Sequence, residues 1–116
     1  MSQTLTFVAL GGALGSVLRY MGVAAIGAPI GTAVVNVVGC FAIGLGFVLL
    51  AGRDGWQLFL LTGLLGGFTT FSAFSLDALK LITAGQPLQA FAYVLGSVTL
   101  SLVAVAMGAA LAKGFA

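Results

Sequence analysis

The chain has 116 residues, of which 61% are hydrophobic and only 5% are charged. A soluble domain of this size cannot bury so much apolar surface, so the composition predicts a protein that is solvated by lipid. The chain contains no histidine, no glutamate and a single cysteine, and its net charge is +2. This inventory argues against an enzyme with a nucleophile–base pair, against a transition-metal site and against a nucleic-acid partner.

Four apolar stretches follow one another along the chain, each near or above the ~20 residues that a helix needs to cross the hydrocarbon core. The predicted helices cover about 5–26, 30–51, 56–83 and 88–112. Both prolines, Pro29 and Pro87, fall at predicted helix starts, where a missing N–H costs little. Because the links are short, residues 1–116 are expected to form one all-α integral membrane domain with four transmembrane helices.

The third span is predicted to be broken near its middle. A continuous helix over 56–83 would extend about 42 Å, against about 30 Å of hydrocarbon. Tilt could absorb part of this excess, but segment 66–72 also contains two adjacent glycines and two adjacent threonines, which are poor helix formers. A broken helix survives in lipid only where protein surrounds it or where it lines a polar cavity, so this segment indicates ion handling.

The distribution of basic residues predicts no preferred orientation in the membrane. With four crossings, Arg53 and Lys113 lie on one side, and Arg19 and Lys80 lie on the other. Chains could therefore insert both ways and pair as an antiparallel, dual-topology homodimer. An oligomer is also expected because four helices at normal packing distance fill their centre with side chains and leave no pore.

Polar residues in the second and fourth spans are candidates for an ion path. Asn36 is an amide in mid-span, and Thr32 lies one turn earlier on the same face. The pair could be interhelical hydrogen-bonding glue or could line an ion path, and the sequence leaves both open. Tyr93, Ser97 and Ser101 recur every four residues, which aligns three hydroxyls in one stripe.

Aromatic and charged residues complete the candidate set. Phe71 and Phe74 flank the predicted break, and their positive ring edges could meet an anion, although ordinary packing would also explain them. Arg19 could extend to the interface or draw anions into a vestibule. Asp77 and Lys80 are predicted to pair locally near a helix end, which leaves no buried carboxylate. Donors without a buried acid suit a small anion that accepts hydrogen bonds.

Three motifs carry a resemblance to a known family. They are GGALGSVLRY at 11–20, GTAVVNVVG at 31–39 and GGFTTFSAF at 66–74. In this order, and over nearly the whole chain, they resemble the Fluc (CrcB) fluoride channels. The resemblance implies an antiparallel homodimer with two fluoride pores in the inner (plasma) membrane, which exports fluoride passively and reduces its toxicity in the cytoplasm.

The resemblance also implies roles for individual residues. Asn36 would donate to fluoride, and Phe71 and Phe74 would present their ring edges to it. The remaining positions on the implied path are Thr32, Ser72, Tyr93, Ser97 and Ser101, with Arg19 at the vestibule. The family's structural sodium ion, at the dimer centre, would be held by the backbone carbonyls of Gly66 and Thr69 from both subunits.

The chain departs from the family pattern at two positions. Ala73 stands where many relatives have threonine, and Val105 stands where some relatives continue the hydroxyl track. Two other functions remain as alternatives. A small multidrug-type proton-coupled exporter would share the size, the four helices and the antiparallel pairing, but such carriers rely on a glutamate within the membrane. A structural membrane subunit would carry no transport of its own.

Overall fold

The computed structural model describes residues 1–115, and within that range the regular structure is entirely helical. Four stretches are long and apolar enough to cross a membrane, as the sequence predicted. The helices are α1 (Ser2–Ile26), α2 (Ile30–Leu49), α3 (residues 54–68), α4 (Phe71–Thr83) and α5 (Pro87–Lys113). The third span, Asp54–Thr83, thus comprises α3 and α4.

The helix bounds differ from the predicted ones by a few residues. α1 begins at Ser2 rather than at residue 5, and α5 extends one residue further than predicted at each end. α2 ends at Leu49 rather than at residue 51 because the chain turns at Gly52, whose φ of 80° favours glycine. Gly27, with a φ of 95°, ends α1 in a similar way.

The change of conformation in the third span is narrower than predicted. Gly66–Phe68 is still helical, and only Thr69 (φ −87°, ψ 155°) and Thr70 (φ −150°, ψ 125°) are extended. Ser72, at the end of the predicted break, is already in α4 because the Thr70 hydroxyl accepts from the Ala73 N–H at 3.1 Å and caps the new helix.

The first part of the third span holds a feature that the sequence did not predict. Gln57–Leu65, the central part of α3, is a π-helix. A π-helix hydrogen-bonds from i to i+5 and therefore fits more residues into each turn than an α-helix does. The rise per residue is therefore smaller, and the third span is shorter than an α-helix of the same number of residues. This shortening accounts for part of the excess length that the sequence analysis assigned to tilt or to a break.

Glycines bring two pairs of helices into backbone contact. A Cβ added at Gly15 of α1 would collide with the Leu64 carbonyl of α3. A Cβ added at Gly44 of α2 would collide with the Val105 carbonyl of α5 and lie 2.9 Å from the Ala109 nitrogen. Small residues at such positions let helices approach closely enough for polar side chains to reach a neighbouring backbone.

We predict that Gly44→Ala destabilises the protein by about 1–3 kcal/mol, because the added methyl group overpacks the contact between α2 and α5. The matched control is Gly96→Ala, since a Cβ at Gly96 meets no atom within 4 Å. Thermal unfolding in detergent should show a lower midpoint for the first variant and an unchanged or higher midpoint for the second. Equal midpoints would contradict the close contact.

Candidate functional site

A cavity of about 260 Å³ lies where α2, the extended residues, α4 and α5 meet. It brings together several of the residues that the sequence analysis selected from different spans. Its lining includes Asn36, Thr69, Phe71, Phe74, Ser97 and Ser101, together with Cys40, Thr70, Val98 and Leu102. Arginine, lysine and the two aspartates are absent from this lining, so the mainly apolar wall carries a few polar groups and no formal charge.

Asn36 joins α2 to the extended backbone through two hydrogen bonds. Its Nδ2 donates to the Thr70 carbonyl at 2.9 Å, and its Oδ1 accepts from the Thr70 N–H at 2.7 Å. The side-chain amide thus pairs with Thr70 much as a neighbouring peptide group would. An asparagine side chain carries two N–H donors, so one N–H remains for a ligand in the cavity.

The extended residues Thr69 and Thr70 form the interruption of the third span. Gly39 allows the pairing with Asn36, because it lies one turn beyond Asn36 and packs directly on this interruption. A Cβ at Gly39 would collide with the Thr69 side chain and lie 3.1 Å from the Phe68 ring. Only hydrogen therefore fits between α2 and the extended residues. The motif at 31–39 combines the amide that binds the interruption with the glycine that admits it.

The carbonyls of Gly66 and Thr69 are among those at the interruption that lose their helical partners. The Gly66 carbonyl would accept from the Thr70 N–H in a continuous helix, but that N–H is bound to Asn36. The Thr69 carbonyl would accept from Ala73, whose N–H is bound to the Thr70 hydroxyl. Carbonyl oxygens are the ligands that hard cations prefer. These two carbonyls are the pair that the sequence analysis assigned to sodium, and their chemistry fits such an ion.

The aromatic residues form a row along α4 and α5. The Phe74 ring is buried, with its centroid 5.5 Å from that of Phe71 at an interplanar angle of 58°. Phe74 also lies 5.2 Å from the Tyr93 ring at 39°. Phe71 itself is 77% exposed in the single chain. The row therefore runs from an exposed ring through a buried one to the half-buried Tyr93.

The sequence analysis predicted the wrong partner and the wrong environment for Asp77. Its predicted pairing with Lys80 does not form: Lys80 is exposed, while Asp77 is only 8% exposed and accepts from the Tyr93 hydroxyl at 3.3 Å. Asp77 lies three residues after the buried Phe74, which puts both on the helix face that packs on α5. That spacing was the signal for burial, and the prediction of no buried carboxylate was wrong.

The other predicted site residues lie around the cavity rather than on its wall. Thr32 is 1% exposed, and Ser72 is exposed with its Oγ 3.4 Å from the Thr70 hydroxyl. Arg19 reaches the interruption from α1, where its Nε donates to the Gly67 carbonyl at 3.1 Å. Their roles toward an ion stay predictions.

The two departures from the family pattern do not alter the cavity wall. Ala73 contributes its backbone N–H to the cap on Thr70, a bond that any residue other than proline can make. The backbone of Val105 packs on Gly44, and the hydroxyls on the wall end at Ser101. Cys40, the single cysteine of the chain, also lines the cavity.

Comparison with known proteins gives a consistent result over nearly the whole chain. Residues 6–109 match the model of a family described as CrcB-like protein, Camphor Resistance (CrcB). The chain is 53% identical to the fluoride-specific ion channel FluC of Paracoccus denitrificans (strain Pd 1222), with 98% of each covered. It is 50% identical to the FluC of Rhizobium etli (strain CIAT 652), covering 94% of this chain and 95% of the relative. It is 45% identical to that of Helicobacter acinonychis (strain Sheeba), with 99% of each covered.

We predict that the Asp77–Tyr93 hydrogen bond couples α4 to α5 by about 0.5–1.5 kcal/mol, the range for polar contacts within a membrane bundle. The measurement is a double-mutant cycle of Asp77→Ala and Tyr93→Phe on unfolding in detergent. The cycle of Lys80→Ala with Tyr93→Phe is the control and should show no coupling. Additive losses for Asp77 and Tyr93 would contradict the contact.

Proposed function

The chain belongs to the CrcB family, and on that premise we propose that it is a fluoride-selective ion channel, not an enzyme. It lets fluoride leave the cell passively through the inner (plasma) membrane and so lowers fluoride toxicity in the cytoplasm. The observation that carries this proposal is the uncharged cavity at the interruption of the third span, where Asn36, two phenylalanines and two serines meet. The names of the relatives support the same function.

The cavity wall suits an ion that must leave its water shell and still move on. Fluoride accepts hydrogen bonds, and the wall offers the remaining Asn36 N–H and the hydroxyls of Ser97 and Ser101. The edges of the Phe71 and Phe74 rings add weak positive potential. Conduction requires binding that is favourable enough for entry and weak enough for exit. Neutral donors meet both conditions, whereas a fixed cation on the wall would trap the ion.

Residues beside the cavity extend the proposed path. Tyr93 packs on the buried Phe74 ring, and its hydroxyl donates to Asp77. This hydrogen bond fixes the direction of the hydroxyl proton. Ser72 continues the path toward the exposed side of α4. A buried acid would also suit a proton-coupled exporter, but family membership favours the channel.

The functional unit is proposed to be an antiparallel, dual-topology homodimer. Phe71 lies on the pathway and yet is 77% exposed in the single chain, and many other large apolar side chains are exposed. A second copy would enclose the open side of the cavity, which four helices alone leave unsealed. The even distribution of arginine and lysine supports insertion in both directions.

A sodium ion is proposed at the centre of this dimer. The Gly66 and Thr69 carbonyls of each copy, which have lost their helical partners, would hold it. When bound, the ion would supply positive charge between the two subunits and offset the charge of anions nearby. Lipid is the surrounding medium, and fluoride is the transported partner.

The direct test is fluoride efflux from liposomes that contain only this protein and are loaded with potassium fluoride. A passive channel should release fluoride only when valinomycin allows potassium to balance the charge. We expect Asn36→Asp to abolish this efflux, because a carboxylate repels both the anion and the Thr70 carbonyl that Asn36 now binds. Asn36→Asp with wild-type flux would remove Asn36 from the path. A silent wild-type protein would overturn the function itself.

The aromatic residues can be tested in the same assay. We predict that Phe71→Ile or Phe74→Ile slows fluoride efflux at least about tenfold, because isoleucine fills similar space and has no positive ring edge. Phe91→Ile is the matched control, since Phe91 is 64% exposed and lies outside the cavity wall. If both single variants conduct as well as the control, the two rings serve packing only.

A further inference from the structure

Arg19 makes a hydrogen bond to the backbone that would not be needed if its role were only to attract anions into a vestibule. Its Nε donates to the Gly67 carbonyl at 3.1 Å, and the contact is partly buried. The two residues are 48 positions apart, so the bond ties α1 to the end of α3. The guanidinium is thereby engaged by the backbone at the interruption itself.

The Gly67 carbonyl needs a donor from outside its own helix. In a continuous helix it would accept from the N–H of Phe71, four residues later. That bond cannot form here, because Thr69 and Thr70 are extended and Phe71 opens a new helix. An unpaired carbonyl is strongly unfavourable where lipid replaces water. Arg19 supplies the donor that the interruption removes.

The packing of α1 on α3 sets the position of this donor. A Cβ at Gly67 would lie 2.7 Å from the Gly12 carbonyl, so the two backbones touch. Gly12 and Gly15 precede Arg19 by two turns and one turn on the same face of α1. The face that makes the contact thus carries the arginine to the end of α3.

We propose that Arg19 is a positioning residue that caps the first half of the interrupted helix. By holding the Gly67 carbonyl, it fixes the backbone between Gly66 and Thr69, whose carbonyls we assign to a cation. Asn36 holds the second half through Thr70, so each side of the interruption has one side-chain clamp. This inference rests on the proposed function, since fluoride flux is one of its readouts.

Two variants separate this role from the attraction of anions by charge. Arg19→Gln and Arg19→Met both remove the charge. The glutamine Nε2 is three bonds beyond Cβ, as is the arginine Nε, so only Arg19→Gln keeps a donor at the same point. Arg53→Gln is the matched control, because it removes an exposed charge from the turn before α3. Each protein is assayed for efflux over a range of fluoride and of potassium isethionate concentrations.

The capping role predicts that Arg19→Gln keeps flux within about threefold of wild type, while Arg19→Met loses about tenfold or more, as expected for a lost hydrogen bond to a charged group. The loss should persist at saturating fluoride and at high ionic strength. Equal losses in both variants, with recovery at high fluoride, would overturn the proposal in favour of a charge effect. If Arg19→Met does not fold, Arg19→Gln decides alone: near wild-type flux supports the cap, and a loss of about tenfold overturns it.

Cys40 supplies a readout that does not depend on conduction. It is free and lines the same cavity wall as Thr69 and Thr70. If Arg19 positions this backbone, a small neutral maleimide should label Cys40 at the wild-type rate in Arg19→Gln and at a changed rate in Arg19→Met. Identical rates in all three proteins would overturn the capping role. Wild-type protein without fluoride flux, but with this labelling pattern, would refute the channel and retain the cap.

Discussion

The structure depends on the pairing of backbone hydrogen-bonding groups where the third span changes direction. In lipid no water can satisfy a free N–H or carbonyl, so an interrupted helix requires partners from its neighbours. Asn36 provides both a donor and an acceptor to Thr70. The Thr70 hydroxyl caps α4, and the Thr69 hydroxyl shares the Leu65 carbonyl with its own N–H.

Close helix packing is what allows such short polar side chains to reach the interruption. Gly39 admits the extended residues onto α2, and Gly15 admits α3 onto α1. A larger residue at either position would move the backbone away from the amide or the guanidinium that it binds. The glycines and the polar residues of each motif therefore act together. The glycine allows the neighbouring backbone to come close, and the polar side chain forms a hydrogen bond with that backbone.

The sequence predicted the features that depend on composition and local propensity. Length and hydropathy sufficed for the four spans. Within the predicted break, the two adjacent threonines are extended, whereas the two adjacent glycines are helical. The sequence did not identify the partner of Asn36, because a lone amide in an apolar helix has many possible acceptors. It also misplaced Asp77, where proximity to Lys80 suggested an ion pair. Helical spacing from Phe74 would have indicated burial, but only the packing of α4 on α5 identifies Tyr93 as its partner.

Polar side chains are scarce in this protein, so the same residues that hold the backbone would also bind the transported ion. Only a few side chains in the cavity can donate hydrogen bonds, and Asn36 divides its amide between Thr70 and the cavity. Because Oδ1 of Asn36 accepts from a backbone N–H, the whole side-chain amide is fixed in direction, and a passing anion would meet a donor that needs no reorientation. Because the same bond removes the Thr70 N–H from Gly66, it also leaves the Gly66 carbonyl without its helical donor. One side-chain pairing would thus prepare both of the sites that we propose, one for an anion and one for a cation.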